Sequence, residues 1–146
     1  MSAGLTDSSP TVDALDADNP PTLDITATAF SIHVRAQCTT KPGGGGSECI
    51  YEFGQTTGAN NNVRIAFRNQ GGTFLLRAVD ADASASATID SSAISASTWY
   101  SILLVKRSVS NRELYVNATS AGADTSTSSS PSMQRLRLFA SPAALA

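Results

Sequence analysis

Two constellations in this chain have residue types that could hold a cation or do acid–base work. Asp80 and Asp82 stand two residues apart, as do Asp16 and Asp18 with Asn19 beside them. Hard oxygen donors at this spacing in a loop are what a Ca²⁺ site needs, and Asp-x-Asp is equally the chemistry of an ordinary turn. Glu48 and Glu52 lie four apart, which along an extended strand is ~13 Å. A retaining glycosidase holds its two carboxyl groups about 5–5.5 Å apart, so this pair reads as a solvated strand face. No Gly-x-Ser-x-Gly elbow occurs, and the single His33 falls in plain strand alternation, so no serine triad is legible. No motif supports catalysis, and the expectation is a protein that is not an enzyme.

Other groups could bind without reacting. Asn60, Asn61, Asn62 and Gln70 are amides at loop positions, suited to hydrogen-bonding hydroxyl groups, though loop solvation accounts for them as well. Asn117-Ala118-Thr119 has the pattern of an N-glycosylation acceptor. Arg64, Arg68 and Arg77 fall on adjacent strands, and pairing with Glu48 and Glu52 is the simplest use for them. Cys38 and Cys49 flank the run Lys41-Pro42-Gly43-Gly44-Gly45-Gly46. If they sit on neighbouring strands joined by that loop, a disulfide would contribute about 2–3 kcal/mol. Two free thiols are the other reading, and a reducing compartment favours it. With one histidine they do not complete a zinc site.

The elements that must position these groups are strands. Phe30, Ile32, Val34 and Ala36 alternate with Ser31, His33, Arg35 and Gln37, which predicts a strand with one buried and one wet face. The glycine run forces a turn. Glu48 to Phe53 follows, with Cys49, Tyr51 and Phe53 expected on one face and Glu48, Ile50 and Glu52 on the other. Val63, Ile65 and Phe67 mark a third strand, and Gly71-Gly72 marks a tight reversal into Thr73 to about Val79. A weaker strand runs around Ala85 to Ile89. The densest apolar run, Thr98 to Arg107, then forms a hairpin with Glu113 to Asn117 through the turn 108–112. The tract Ala118 to Ser132 has no large apolar side chain and reads as a long loop. Leu136 and Leu138 alternate with Arg135 and Arg137 in a last strand. No stretch carries the spacing of an amphipathic helix.

Composition bounds the rest. At 146 residues the chain is one domain by length, and its charged content of 15% is low against an ordinary ~25%. A net charge of −2 gives no electrostatic reason to expect nucleic acid or an anionic membrane. No apolar run approaches the ~20 residues of a spanning helix. The first residues have neither a basic n-region nor an apolar h-region, so the expectation is synthesis and assembly in a cytoplasm, the alternative being a chain from which a signal has been trimmed. Residues 1–22, rich in Ser, Asp, Pro and Thr, read as an extended N-terminal arm with at most one short edge strand, and 23–146 as the folded domain.

Eight or so short strands with polar and glycine-rich loops predict an all-β, antiparallel two-sheet β-sandwich or jelly roll. Leu23-Asp24-Ile25-Thr26 and Phe30-Ser31-Ile32-His33-Val34-Arg35 resemble the opening strands of laminin-G-like domains, although the family's Trp is replaced by Val34-Arg35. Thr98-Trp99-Tyr100 and Leu114-Tyr115-Val116-Asn117 are similar to its Trp-(His/Tyr) and Leu-Tyr-Val-Asn-Gly strands, with Ala118 where the turn glycine would be. The resemblance covers about residues 23–140 and implies a concanavalin A-like jelly roll, often with Ca²⁺ at its rim. It makes Trp99 a core residue and Tyr100, on the opposite strand face, the exposed ring for a ligand. The family's closing Gly-x-Ile-Asp-x-Val strand has no counterpart here. Either the arm completes the sheet or an edge stays open for another subunit.

Two functions follow as expectations. The first is a non-catalytic structural or interaction protein, a homo-oligomer such as a phage virion decoration protein. Its partners would be contacted by residues 1–22 and by the tail, 139–146. The second is a glycan-binding module, with or without Ca²⁺.

Overall fold

The computed structural model describes residues 15–18, 29–54, 62–82, 85–128 and 135–138. They form ten strands: β1 (Leu15–Asp18), β2 (Phe30–Gln37), β3 (Ser47–Gly54), β4 (Asn62–Gln70), β5 (Thr73–Ala81), β6 (Ser86–Asp90), β7 (Trp99–Ser108), β8 (Asn111–Val116), β9 (Thr119–Asp124) and β10 (Arg135–Leu138). Six make one sheet in the order β1-β10-β3-β4-β5-β6, and four make the other in the order β2-β7-β8-β9. Every pairing is antiparallel. Among the described residues there is no helix, and none long and apolar enough to cross a membrane. The chain is an all-β two-sheet sandwich, as its alternating pattern predicts.

The core lies between the sheets. Phe53, Val63, Ile65, Phe67, Phe74, Leu76 and Ile89 enter it from the six-stranded sheet, and Ile32, Ala36, Ile102, Leu104 and Leu114 from the other. Phe30 and Phe53 meet edge-on across the gap at 5.6 Å between ring centres. Two-residue turns set the hairpin registers. Gly71 and Gly72 join β4 to β5 at φ of 58° and 88°, the left-handed region that such a turn requires. Asn117 and Ala118 join β8 to β9 in the same region, at 50° and 65°. Asn tolerates that conformation, whereas alanine's Cβ crowds the backbone there.

Three expectations change. The β3 strand carries a bulge between Cys49 and Tyr51, so its faces do not alternate simply. The extra residue is Ile50, which turns into the core with Phe53, while Cys49 pairs opposite Ala66 outside the core cluster. The tract after Asn117 is not all loop, since 119–124 is the edge strand β9. Its small residues have a packing reason: a Cβ on Gly122 would stand 3.0 Å from Ile89 Cγ2 of the facing sheet. The arm follows one of its two expected alternatives, since residues 15–18 pair with β10 as β1 at the border of the six-stranded sheet.

The third change concerns the aromatic pair. Trp99 is 53% exposed and Tyr100 only 9%. The phase of β7 is set by Ile102 and Leu104, which pair with Val34 and Ile32 on one side and with Val116 and Leu114 on the other. Tyr100 shares their parity and must turn inward. Its hydroxyl accepts from the Ser95 N–H at 2.8 Å, which satisfies the polar end of a buried ring.

Candidate functional site

The two sheets present different outer faces. On the six-stranded sheet the outward positions Glu52, Ala66, Leu75, Val79 and Ala81 are buried. On the four-stranded sheet Ser31, His33 and Arg35 are exposed, and Ser101, Leu103, Val105, Glu113 and Tyr115 are partly so. This second face carries the candidate site. His33 and Tyr115 flank Leu103 in register, and Arg35 lies opposite Ser101.

These strands shape a hollow of about 280 Å³ lined by His33, Ser101, Leu103, Tyr115 and Ala118. His33 Nε2 and Ser101 Oγ are hydrogen-bonded at 2.8 Å on its floor. Beside it the Arg35 guanidinium lies over the Trp99 ring, 5.2 Å from its centre, a cation–π contact that ties the two side chains together. On the far side Arg107 pairs with Glu113 at 3.0 Å and donates to the Tyr115 hydroxyl at 3.4 Å. Ser120 Oγ donates to the other Glu113 oxygen at 2.9 Å. Hydrogen bonds from Tyr115, then Ser120 and Arg107, hold the Glu113 carboxyl below its usual range. The arrangement offers an indole, a guanidinium, an imidazole and two hydroxyl groups on a rigid sheet. A serine beside a histidine makes a nucleophile–base pair, but among the described residues no carboxylate is hydrogen-bonded to His33 to orient it, and the hollow is open to water.

The residues singled out from the sequence fare differently. Tyr100 leaves the site, being part of the core, and Trp99 takes its place. Asn60 and Asn61 lie outside the described residues. Asn62 is buried on β4, opposite Gly54 and Ala81, away from the hollow. Gln70 is exposed at the end of β4, where its side-chain oxygen accepts from Arg77. Neither Asn62 nor Gln70 reaches the four-stranded face.

Asp80 and Asp82 do not form a Ca²⁺ site. The Asp80 carboxylate points into the sandwich, 2.7 Å from Lys106 Nζ and paired also with Arg112 Nε. A divalent cation there would face two buried positive charges. Asp82 caps a turn, accepting from the Ala85 N–H at 2.8 Å. Asp16 and Asp18 occupy register positions opposite Arg137 and Arg135, and Asn19 lies outside the described residues. Among the described residues no group of three or more His, Cys, Asp or Glu side chains could hold a metal.

Cys38 and Cys49 are not joined by a disulfide: β2 and β3 belong to different sheets, and the bulge turns Cys49 away from the core. Cys38 Sγ donates to the Thr40 carbonyl at 2.9 Å and to Glu48 at 3.2 Å. Burial, then the hydrogen bond and charge of Glu48, push its pKa up to about 12. Arg77 does not use Glu48 or Glu52 but forms a two-pronged pair with Asp90, both contacts at 2.6 Å. Glu52 stands opposite Arg64 in the strand register.

One polar cluster was invisible in the sequence. Asp80, Lys106, Arg112 and Ser128 are all at most 2% exposed and meet inside the sandwich. Arg112 Nη2 donates to the Val109 and Ser128 carbonyls, at 2.8 and 2.7 Å, and Ser128 Oγ donates to the Asp80 carbonyl at 3.0 Å. The signal available was parity: Lys106 and Arg112 occupy inward positions of β7 and β8. Compared with family models, with curated proteins and with solved structures, the chain matches none of them.

Proposed function

We propose that this chain is a non-catalytic interaction module, a laminin-G-like, concanavalin A-like jelly roll that works as an oligomeric surface protein of the kind that decorates a phage virion. The observation that carries the reading is the division of labour between the charges and the faces. The inward charges Asp80, Lys106 and Arg112 are spent on joining the sheets, while one whole sheet face, with a half-exposed tryptophan, is left for contact. Light scattering on the full chain tests it, with an assembly of more than one subunit expected. A monomer at every concentration removes the basis of the oligomeric reading.

A glycan-binding module is the second reading, favoured by Trp99 beside the hollow. Sugar rings stack their apolar faces on an exposed indole while polar neighbours such as Arg35, His33 and Tyr115 meet the hydroxyl groups. Ca²⁺ assistance loses its support with Asp80 spent in the interior. A glycan array with the wild type and Trp99→Ala, with and without chelator, tests both points. Binding that is lost in the variant and insensitive to chelator supports this reading, and no binding to any sugar removes it.

A further inference from the structure

Of the four outer strand edges in the described sheets, three carry protection against pairing with another chain. The β1 edge is four residues long. The β6 edge is five residues long, and the Asp124 carboxylate accepts from its Thr88 N–H at 3.3 Å. The β9 edge is bulged, since Leu114 pairs with Gly122 but Tyr115 with Ser120. Short edges, bulges and covering groups are the usual ways to keep a sheet from extending. Among the described residues the β2 edge has none of them. It runs eight residues, stays in register with β7 from Phe30 to Gln37, and contains neither Pro nor Lys. Its inward side chains Phe30 and Val34 pack on the core yet remain partly exposed, as happens where a sheet stops short of covering its own apolar face.

We infer that β2 is a seam that pairs antiparallel with β2 of a second copy, joining two four-stranded sheets into one of eight strands. The occupant follows from the strand's self-complementarity. A two-fold axis perpendicular to the sheet keeps inward residues opposite inward ones, which leaves two central registers. Centring on Val34 sets His33 opposite Arg35 twice, two cation-forming side chains face to face, which is unfavourable. Centring on His33 sets Ile32 opposite Val34, Phe30 opposite Ala36 and Ser31 opposite Arg35. Large then meets small, β-branched meets β-branched, and basic side chains stand opposed once, at the axis, rather than twice. This register is the seam. Backbone hydrogen bonds supply the attraction, and the alternating side chains fix the register. The inference rests on the oligomeric reading above and names its interface.

The test is disulfide trapping in the full-length chain. Directly opposed Cα atoms in an antiparallel pair are about 4.5–5.5 Å apart, within reach of a disulfide. His33→Cys, which replaces an exposed side chain, should give a covalent dimer on mild oxidation, with the wild type as control because Cys38 and Cys49 are buried. Ser31→Cys and Arg35→Cys should each stay uncrosslinked alone and give a covalent dimer when mixed. Ser31→Cys crosslinking to itself, or no crosslink in His33→Cys while light scattering still shows an assembly, overturns the seam and leaves the oligomer standing. A monomer by light scattering, with no crosslink in any variant, overturns both.

Discussion

Lys106 Nζ lies 2.7 Å from Asp80 Oδ2, with both side chains 1% exposed and each rooted in a different sheet. Desolvation lowers the Lys106 pKa, while the hydrogen bond and charge of Asp80 act to raise it. Arg112, also 1% exposed, takes the same carboxylate oxygen. One carboxylate therefore holds two cations that would otherwise face an apolar interior.

Removing that carboxylate should be severe. Asp80→Ala leaves Lys106 and Arg112 buried without it, and loss of one partner from such a group costs about 3–5 kcal/mol. Urea unfolding monitored by circular dichroism should show the loss as a lower midpoint. A change under about 1 kcal/mol would mean that the two cations are held by their carbonyl contacts to Ser128 and Val109 instead.

The aromatic pair makes an opposite prediction at adjacent positions. Tyr100→Ala removes a ring buried in the core and should cost about 3–5 kcal/mol. Trp99→Ala removes a half-exposed ring and its contact with Arg35, and should cost no more than about 1 kcal/mol. Parallel thermal melts of the two variants check the order.

Cys38 sets a pH dependence. Its folded pKa of about 12 stands above its ordinary value of 9.0, so the folded state resists losing the proton. Below pH 9 the thiol is protonated in both states and its contribution is complete. Between pH 9 and 12 the unfolded chain binds fewer protons, and stability falls as pH rises. Denaturation midpoints of the wild type should therefore drop across this window relative to Cys38→Ser. At pH 8 a disulfide reagent should react with the native thiols far more slowly than with the unfolded chain.

Ala118 offers a gain. Its φ of 65° costs an alanine about 1–2 kcal/mol that a glycine does not incur, offset in part by the freedom glycine has when unfolded. Ala118→Gly should raise stability by about 0.5–1 kcal/mol, read as a higher melting temperature.

How far the sequence carried the fold depends on where the determining contact lies. The alternation in β2 and the paired glycines between β4 and β5 act locally, and both are legible. The face of Trp99 is also local, since Ile102 and Leu104 give the parity, but the family resemblance points the other way and the structure follows the parity. The strand β9 is different: Thr119 to Asp124 carry no apolar signal because Gly122 must sit close to Ile89, some thirty residues back along the chain. The bulge at Ile50 depends on the register with Ile65 and Ala66, which no single strand reveals. At the candidate site, His33 is visible as an outward residue, but its bond to Ser101 spans 68 positions and needs the pairing of β2 with β7. The Asp80 cluster joins residues 26 and 32 positions apart, and in the sequence Asp80 is indistinguishable from a loop carboxylate.

The pairing of Leu15 with Leu138 brings two distant parts of the chain side by side at one border of the six-stranded sheet. Because β1 and β10 run antiparallel, the chain enters β1 where it leaves β10. A linker from residue 138 back to residue 15 would have to span only neighbouring strands. The chain could then be opened between Gly44 and Gly45, where a side chain added at either position would meet nothing within 4 Å. Such a circular permutant would keep all eight strand pairings while moving both ends to the glycine loop, so a label or fusion partner could be carried there instead.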